Sequence, residues 1–171
     1  FYISRSGWTG ERGFEIYSKN SDFDGVKLWN FLLEKGLPAG LMPSDVSSMH
    51  IRRIEAGILD YGTDIDQSLN PFEIGLDRLV HLDKFDFIGR KALMETNHKS
   101  LRLKGLLCGE ASLTRGDKLI DSGKEIGFVS AGAWSPYLES GVGLIRLNET
   151  KPSDRKVKVV TSSGEFLSLI H

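Results

Sequence analysis

Apolar and polar residues alternate at the start of the chain, with Phe1 and Ile3 on one side, and again after a glycine-rich stretch, with Phe14 and Ile16 on one side. This period of two predicts a pair of strands. Gly7, Gly10 and Gly13 between them predict a turn with backbone conformations closed to other residues. The apolar side of this hairpin, and Trp29 beyond it, are expected to face a core. The period then changes. Val26, Leu28, Trp29, Leu32 and Leu33 recur at helical spacing behind a cluster of cap-forming residues, Ser21-Asp22-Phe23-Asp24. Gly36 is expected to stop this helix in a left-handed conformation, and the helix to pack on the hairpin with Trp29 in the core. Residues 38–43 read as a loop. A second helix is predicted from Pro43-Ser44-Asp45, with Ser44 or Asp45 as its cap, through Val46, Met49 and Ile54 to Gly57. Residues 61–71 are polar and turn-rich. The mixed period of 72–82 predicts a short helix and then a strand, and 88–95 a short helix whose Arg90, Lys91 and Glu95 face water.

Beyond a linker at 98–100 the helical pattern ends. Residues 101–108, 118–120, 125–130, 141–146, 156–161 and 165–170 read as six short strands. Asp121-Ser122-Gly123-Lys124 and Ser162-Ser163-Gly164-Glu165 are hairpin turn signals. No helix remains to cover a parallel sheet, so a small antiparallel barrel or sandwich is expected. Trp134-Ser135-Pro136 reads as a barrel turn, with Trp134 covering the core. The fold class is α+β: an antiparallel sheet with helices over 1–97, followed by a small C-terminal all-β barrel over 98–171, incomplete at its end.

Composition narrows the function classes. The chain has 171 residues, 40% hydrophobic and 26% charged, with a net charge of −1, enough for one or two domains of ordinary globular type. Near-neutral charge gives no electrostatic argument for nucleic acid or an anionic membrane surface. No apolar run approaches the ~20 residues a membrane-spanning helix needs. The single cysteine, Cys108, excludes an internal disulfide and a thiolate metal cluster, and is read as a small buried hydrophobe. The chain begins inside an apparent strand and stops straight after an apolar run, so both ends are expected to be cuts in a longer protein.

Glu11 is the acid framed by the three glycines. A carboxylate held at a tight turn can accept two hydrogen bonds from one flat ligand edge, such as a pterin or a guanidinium, or it can be a solvated turn acid. Arg52 and Arg53 are adjacent on one helix and point roughly 100° apart, so they do not share one pocket. Asp64 and Asp66 resemble a carboxylate pair, although acids in turns more often accept from backbone N–H groups. His50, His81, His98 and His171 lack ligand spacing, so no metal site is proposed. No Ser-His-Asp motif and no phosphate-loop pattern is present.

The segment Gly7-Trp8-Thr9-Gly10-Glu11-Arg12-Gly13-Phe14-Glu15 resembles the folate-binding hairpin of the glycine-cleavage T-protein (aminomethyltransferase) family. Residues 53–65 (Arg-Ile-Glu-Ala-Gly-Ile-Leu-Asp-Tyr-Gly-Thr-Asp-Ile), 70–76, 84–93 and 127–136 match the same family in the same order, over nearly the whole chain. The resemblance implies a tetrahydrofolate-dependent one-carbon transferase, with residues 1–97 as part of its folate-binding region. It makes Glu11 the acid that grips the pteridine, and Arg-x-Glu-Ala-Gly selects Arg53 over Arg52 as the folate-contacting arginine. Trp8 and Tyr61 complete the cofactor-binding set; for Tyr61, a plain turn tyrosine is an equal reading. It implies no catalytic residue here, because the family's aspartate lies in the amino-terminal region, upstream of Phe1. The partner would be a small-molecule one-carbon donor or a lipoyl carrier protein, in a cytoplasmic setting. Trp8 in place of the common tyrosine, and the spacing of Asp45 from Arg53, also resemble folate-dependent demethylases such as the dimethylsulfoniopropionate type. The folate-binding tail of a dimethylglycine or sarcosine dehydrogenase is a third relative. The cysteine motif of the family's iron–sulfur assembly members is absent.

Overall fold

The computed structural model describes residues 1–19, 22–96, 101–148 and 155–171. Six strands make a closed antiparallel barrel: β3 (Leu103–Cys108), β4 (Lys118–Asp121), β5 (Lys124–Ser135), β6 (Ser140–Leu147), β7 (Lys156–Thr161) and β8 (Gly164–Ile170), in the order β3-β6-β5-β4-β7-β8. The alternation that predicted the strands is visible in their burial. Val157 and Val159 point into the barrel while Lys156 and Lys158 face water. Leu106, Cys108, Leu119, Val129, Ile145 and Ile170 join them in the core. Each such aliphatic side chain contributes about 1.5–3 kcal/mol on full burial. Both hairpin signals form turns: Ser122 and Gly123 take positive φ between β4 and β5, and Gly164 does so at the start of β8. The barrel closes between its first and last strands. Leu106 pairs Ile170 across β3 and β8, and Gly105 and His171 exchange backbone hydrogen bonds of 3.2 and 2.9 Å.

A β-bulge gives β5 a second role. Val129 pairs Ile145 and Ala131 pairs Leu144, so Ser130 is the extra residue. Before the bulge, Val129 fills the barrel. Beyond it, Ala131 packs with Val142, Leu144 and Ile54 in a separate cluster outside the barrel wall. This is why β6 reads as a nearly continuous buried run rather than an alternating one: one face lines the barrel and the other is covered by a helix. Trp134 was expected in a turn covering the core. It lies within β5 and is 39% exposed, because the strand runs on to Ser135 before turning.

The amino-terminal half holds a two-stranded hairpin, β1 (Tyr2–Ser4) and β2 (Glu15–Tyr17), with Ile3 opposite Ile16. It also holds helices α1 (Gly25–Gly36), α2 (Val46–Glu55) and α3 (Arg90–Glu95). Asp24 caps α1 by accepting from the Lys27 N–H at 2.9 Å, and Asp45 caps α2 by accepting from the Ser48 N–H at 3.0 Å.

Gly36 is right-handed; the chain continues into a 3-10 turn at Leu37–Ala39, and Gly40 is the left-handed stop. A Cβ on Gly36 would lie 2.6 Å from Leu41, so Gly36 is required for close approach. Helix α1 buries no residue and does not pack on the hairpin; Trp29 is 49% exposed. Phe1, Ile3, Ile16, Phe23, Leu28 and Leu32 instead border an open apolar cleft of about 820 Å³ between the two elements. Phe14 faces solvent. Residues 72–82 form turns and a 3-10 turn at Asp77–Leu79, with no strand. There the Asn70 side chain accepts from the N–H groups of Phe72 and Glu73, which closes the loop locally. In α3, Arg90 does not simply face water, because its Nε and Nη2 donate to the Leu82 carbonyl at 3.0 and 2.8 Å. The linker expected at 98–100 lies outside the described residues.

Candidate functional site

The hairpin tip sits on the end of α2. Gly10 adopts φ +73°, and a Cβ there would lie 2.6 Å from the Ala56 Cβ. Helix α2 stops just beyond, where Gly57 turns left-handed at φ +69°. Arg52 and Arg53 occupy its last turn, where a cation complements the helix dipole. A pocket of about 230 Å³ opens at this junction, lined by Thr9, Gly10, Glu11, Arg52, Glu55 and, from the β5–β6 turn, Tyr137 and Leu138.

Glu11 stands at the pocket rim with its side chain 62% exposed. The Arg52 Nη2 donates to Glu11 Oε1, and Nη1 donates to Glu55 Oε2 at 2.5 Å. The other Glu55 oxygen accepts from Ser135 Oγ at 2.5 Å, and Ser135 Oγ accepts from the Leu138 N–H at 3.0 Å. A continuous polar chain thus runs from the barrel to the hairpin acid.

Arg53 takes the opposite direction, as the 100° offset requires. It is buried; Nη1 donates to Asp64 Oδ2 at 2.7 Å and to the Ile58 carbonyl at 3.0 Å. Its guanidinium lies 5.1 Å from the centroid of the Trp8 ring, a cation–π contact that ties the hairpin to α2. The structure therefore brings Trp8 to Arg53 and Glu11 to Arg52. Arg52, rather than Arg53, lines the pocket. Tyr61 stands apart, 66% exposed, in an isolated bridge to Ile65.

Asp64 and Asp66 diverge. Asp64 is fully buried; Oδ2 also accepts from the Asp60 N–H at 2.9 Å, and Oδ1 accepts from Ser130 Oγ at 2.7 Å. The bulge at Ser130 aims that hydroxyl out of the barrel towards the aspartate. Asp66 accepts from the Ser68 N–H and Oγ, and from Arg146 Nη1 at 2.6 Å. These hydrogen bonds, that of the Ser68 hydroxyl first, hold its carboxyl well below the usual carboxylate range. Among the described residues no group of His, Cys, Asp and Glu could hold a metal ion. Glu55, Ser135 and the Asp64–Ser130 link were not assigned from the sequence. Yet each lies inside a matched motif, at 53–65 or 127–136, and the two motifs meet through these hydrogen bonds.

The class of protein is thus a helix-and-hairpin region packed against a six-stranded antiparallel barrel. The model of the GCVT N-terminal domain family matches residues 1–84. The aminomethyltransferase of Halothermothrix orenii is 36% identical, over 98% of this chain and 48% of its own length. That of Koribacter versatilis is 38% identical, over 83% of this chain and 38% of its own. Among solved structures, the glycine cleavage system aminomethyltransferase T from Bartonella henselae superposes with a TM-score of 0.79 at 25% identity, over 99% of this chain and 48% of that one. The chain belongs to the glycine-cleavage T-protein (aminomethyltransferase) superfamily. It spans about half the length of the relatives it matches.

Proposed function

We propose that this chain is part of a tetrahydrofolate-dependent one-carbon transferase, and that it supplies the pterin clamp together with the barrel that closes over it. The observation that carries the proposal is the state of Glu11: a turn-held carboxylate on a pocket rim, already engaged by a guanidinium. A pterin edge presents a ring N–H beside an exocyclic amine, the same flat donor arrangement as a guanidinium, so the acceptor fits the group. Trp8 packs its ring against the Arg53 guanidinium rather than lining this pocket, and would meet the ligand only beyond the pocket's edge. Arg53 acts there by holding Trp8 and α2 in place, since it is buried and its Nη1 donates to both Asp64 and Ile58. Tyr61 lies at the margin of the same segment. When bound, tetrahydrofolate would supply the nitrogen that accepts the carbon unit. This chain's part is to orient it, so that catalysis comes chiefly from proximity and electrostatic placement.

The name carried by the relatives supports aminomethyl transfer, with the carbon delivered on a lipoyl-type carrier protein. Among the described residues no helix is long and apolar enough to cross a membrane, and a cytoplasmic setting belongs to the proposal. The test is calorimetric titration of the intact protein with tetrahydrofolate. Glu11→Gln should weaken binding by about 1–3 kcal/mol, because the pterin donors lose a charged acceptor. Equal affinity in the two proteins would remove Glu11 from the site. A donor screen on the same sample, with lipoyl-bound aminomethyl against methylated sulfonium and amine compounds, separates aminomethyl transfer from demethylation.

A further inference from the structure

Arg52 forks between two carboxylates that differ in their surroundings. Glu55 is 9% exposed and is fixed from the barrel side by Ser135, while Glu11 is 62% exposed on a hairpin tip. Solvent and salt screen the Glu11 end far more than the Glu55 end. Any release of Arg52 therefore takes place at Glu11, and the guanidinium keeps its second partner when it does. The group that occupies Glu11 is itself a planar set of N–H donors of the kind proposed above for the ligand.

We infer that Arg52 is an internal competitor for Glu11: it fills the clamp in the free protein, and a ligand with a flat two-donor N–H edge displaces it onto Glu55. This rests on the reading of Glu11 as the pterin acceptor and adds a specificity-determining residue to it. The guanidinium gives Glu11 one donor, Nη2, because Nη1 serves Glu55, so an amidine-like edge with two N–H donors makes one bond more to Glu11 than the arginine it displaces, whereas a ligand with one donor gains nothing over it. The barrel takes part through Ser135, which keeps Glu55 oriented to receive the displaced arginine. Arg53 has no such freedom, because it is buried against Asp64.

The test compares tetrahydrofolate binding by wild type, Glu11→Gln, Arg52→Met and Arg52→Lys, each in the intact protein and each checked for cooperative unfolding. Removing an exposed competitor should tighten binding about two- to fivefold in Arg52→Met. Arg52→Lys, which keeps the charge and loses the fork, should shift in the same direction by less, and it decides the sign should Arg52→Met fail to fold. Binding by Arg52→Met where wild type binds too weakly to measure also supports the inference. If wild type binds, Glu11→Gln does not, and the Arg52 variants bind equally or more weakly, Arg52 is a supporting clamp; the competitor is then overturned and the folate proposal stands. If none of the proteins binds tetrahydrofolate, both are overturned.

Discussion

Replacing Asp64 by alanine should be among the most damaging single changes on the surface where the barrel meets the helices. The Asp64 carboxylate is 0% and the Arg53 side chain 1% exposed, and they meet at 2.7 Å. Asp64→Ala leaves the Arg53 cation in place with only the Ile58 carbonyl and a 3.4 Å contact to His50 as hydrogen-bonding partners. It also removes the acceptor of the Asp60 N–H, while Ser130 Oγ keeps the Leu144 carbonyl at 3.1 Å. Breaking a buried pair by removing one member costs about 3–5 kcal/mol, because the remaining charge is uncompensated. At roughly 2–4 °C per kcal/mol for a protein of this size, Tm should fall by about 6–20 °C. Urea unfolding of the intact protein gives the free energy, and the double variant Arg53→Met/Asp64→Leu gives the control. Removing both charges together should cost less than Asp64→Ala alone, since an apolar pair of similar volume leaves nothing unpaired. A loss below about 1 kcal/mol in Asp64→Ala, or a double variant worse than the single one, would refute the claim that a dry ion pair anchors α2 to the Asp64 turn, which Ser130 ties to the barrel.

Other predictions concern the hairpin and acid stability. Gly10→Ala should weaken tetrahydrofolate binding at least as much as it lowers Tm, because a Cβ there both strains φ +73° and meets Ala56 at 2.6 Å, lifting the tip off α2; unchanged affinity by calorimetry would detach the tip from the site. Asp66 has a folded-state pKa below its ordinary value, so its contribution to stability is complete above about pH 4 and disappears as pH falls through the depressed value. Asp66→Asn should therefore flatten the acid limb of a Tm–pH curve, and an unaltered limb would show that the Ser68 and Arg146 bonds do not persist in solution. Asp117 carries the opposite sign, since burial raises its pKa: its contribution is present below the ordinary aspartate value and lost as pH rises through the folded value. Asp117→Asn should thus leave stability at low pH unchanged and raise it slightly near neutrality, so that the acid limb of its Tm–pH curve is steeper than that of wild type.

The barrel was legible in the sequence because its information is local. Alternation fixes which side chains of β7 face inward, and a Ser-Gly turn with positive φ fixes how adjacent strands are joined. Helix caps at Asp24 and Asp45 were legible for the same reason, each being a side chain that reaches a backbone N–H three residues on. The glycine-framed acid and its motif were also in plain view. Alternation in the hairpin said that Ile3 and Ile16 share a face but not what covers it, and in the described structure that face borders an open cleft. Helical spacing likewise gave α1 an apolar character without deciding which of Trp29, Leu28 and Leu32 is sheltered.

The sequence by itself determined most of the helices and strands, the order of the motifs and the family, because these depend on neighbours along the chain. Tertiary structure alone decided how the side chains of the candidate site are paired. Arg52 and Arg53 are chemically identical, and only the position of α2 between the hairpin and β5 sends one to Glu11 and the other to Asp64. The bulge that aims Ser130 at Asp64, and the strand end that sets Ser135 against Glu55, are pairings across 66 and 80 residues. No local propensity encodes a contact at that separation; it exists only once the barrel has closed and its long strands have been laid against the helix.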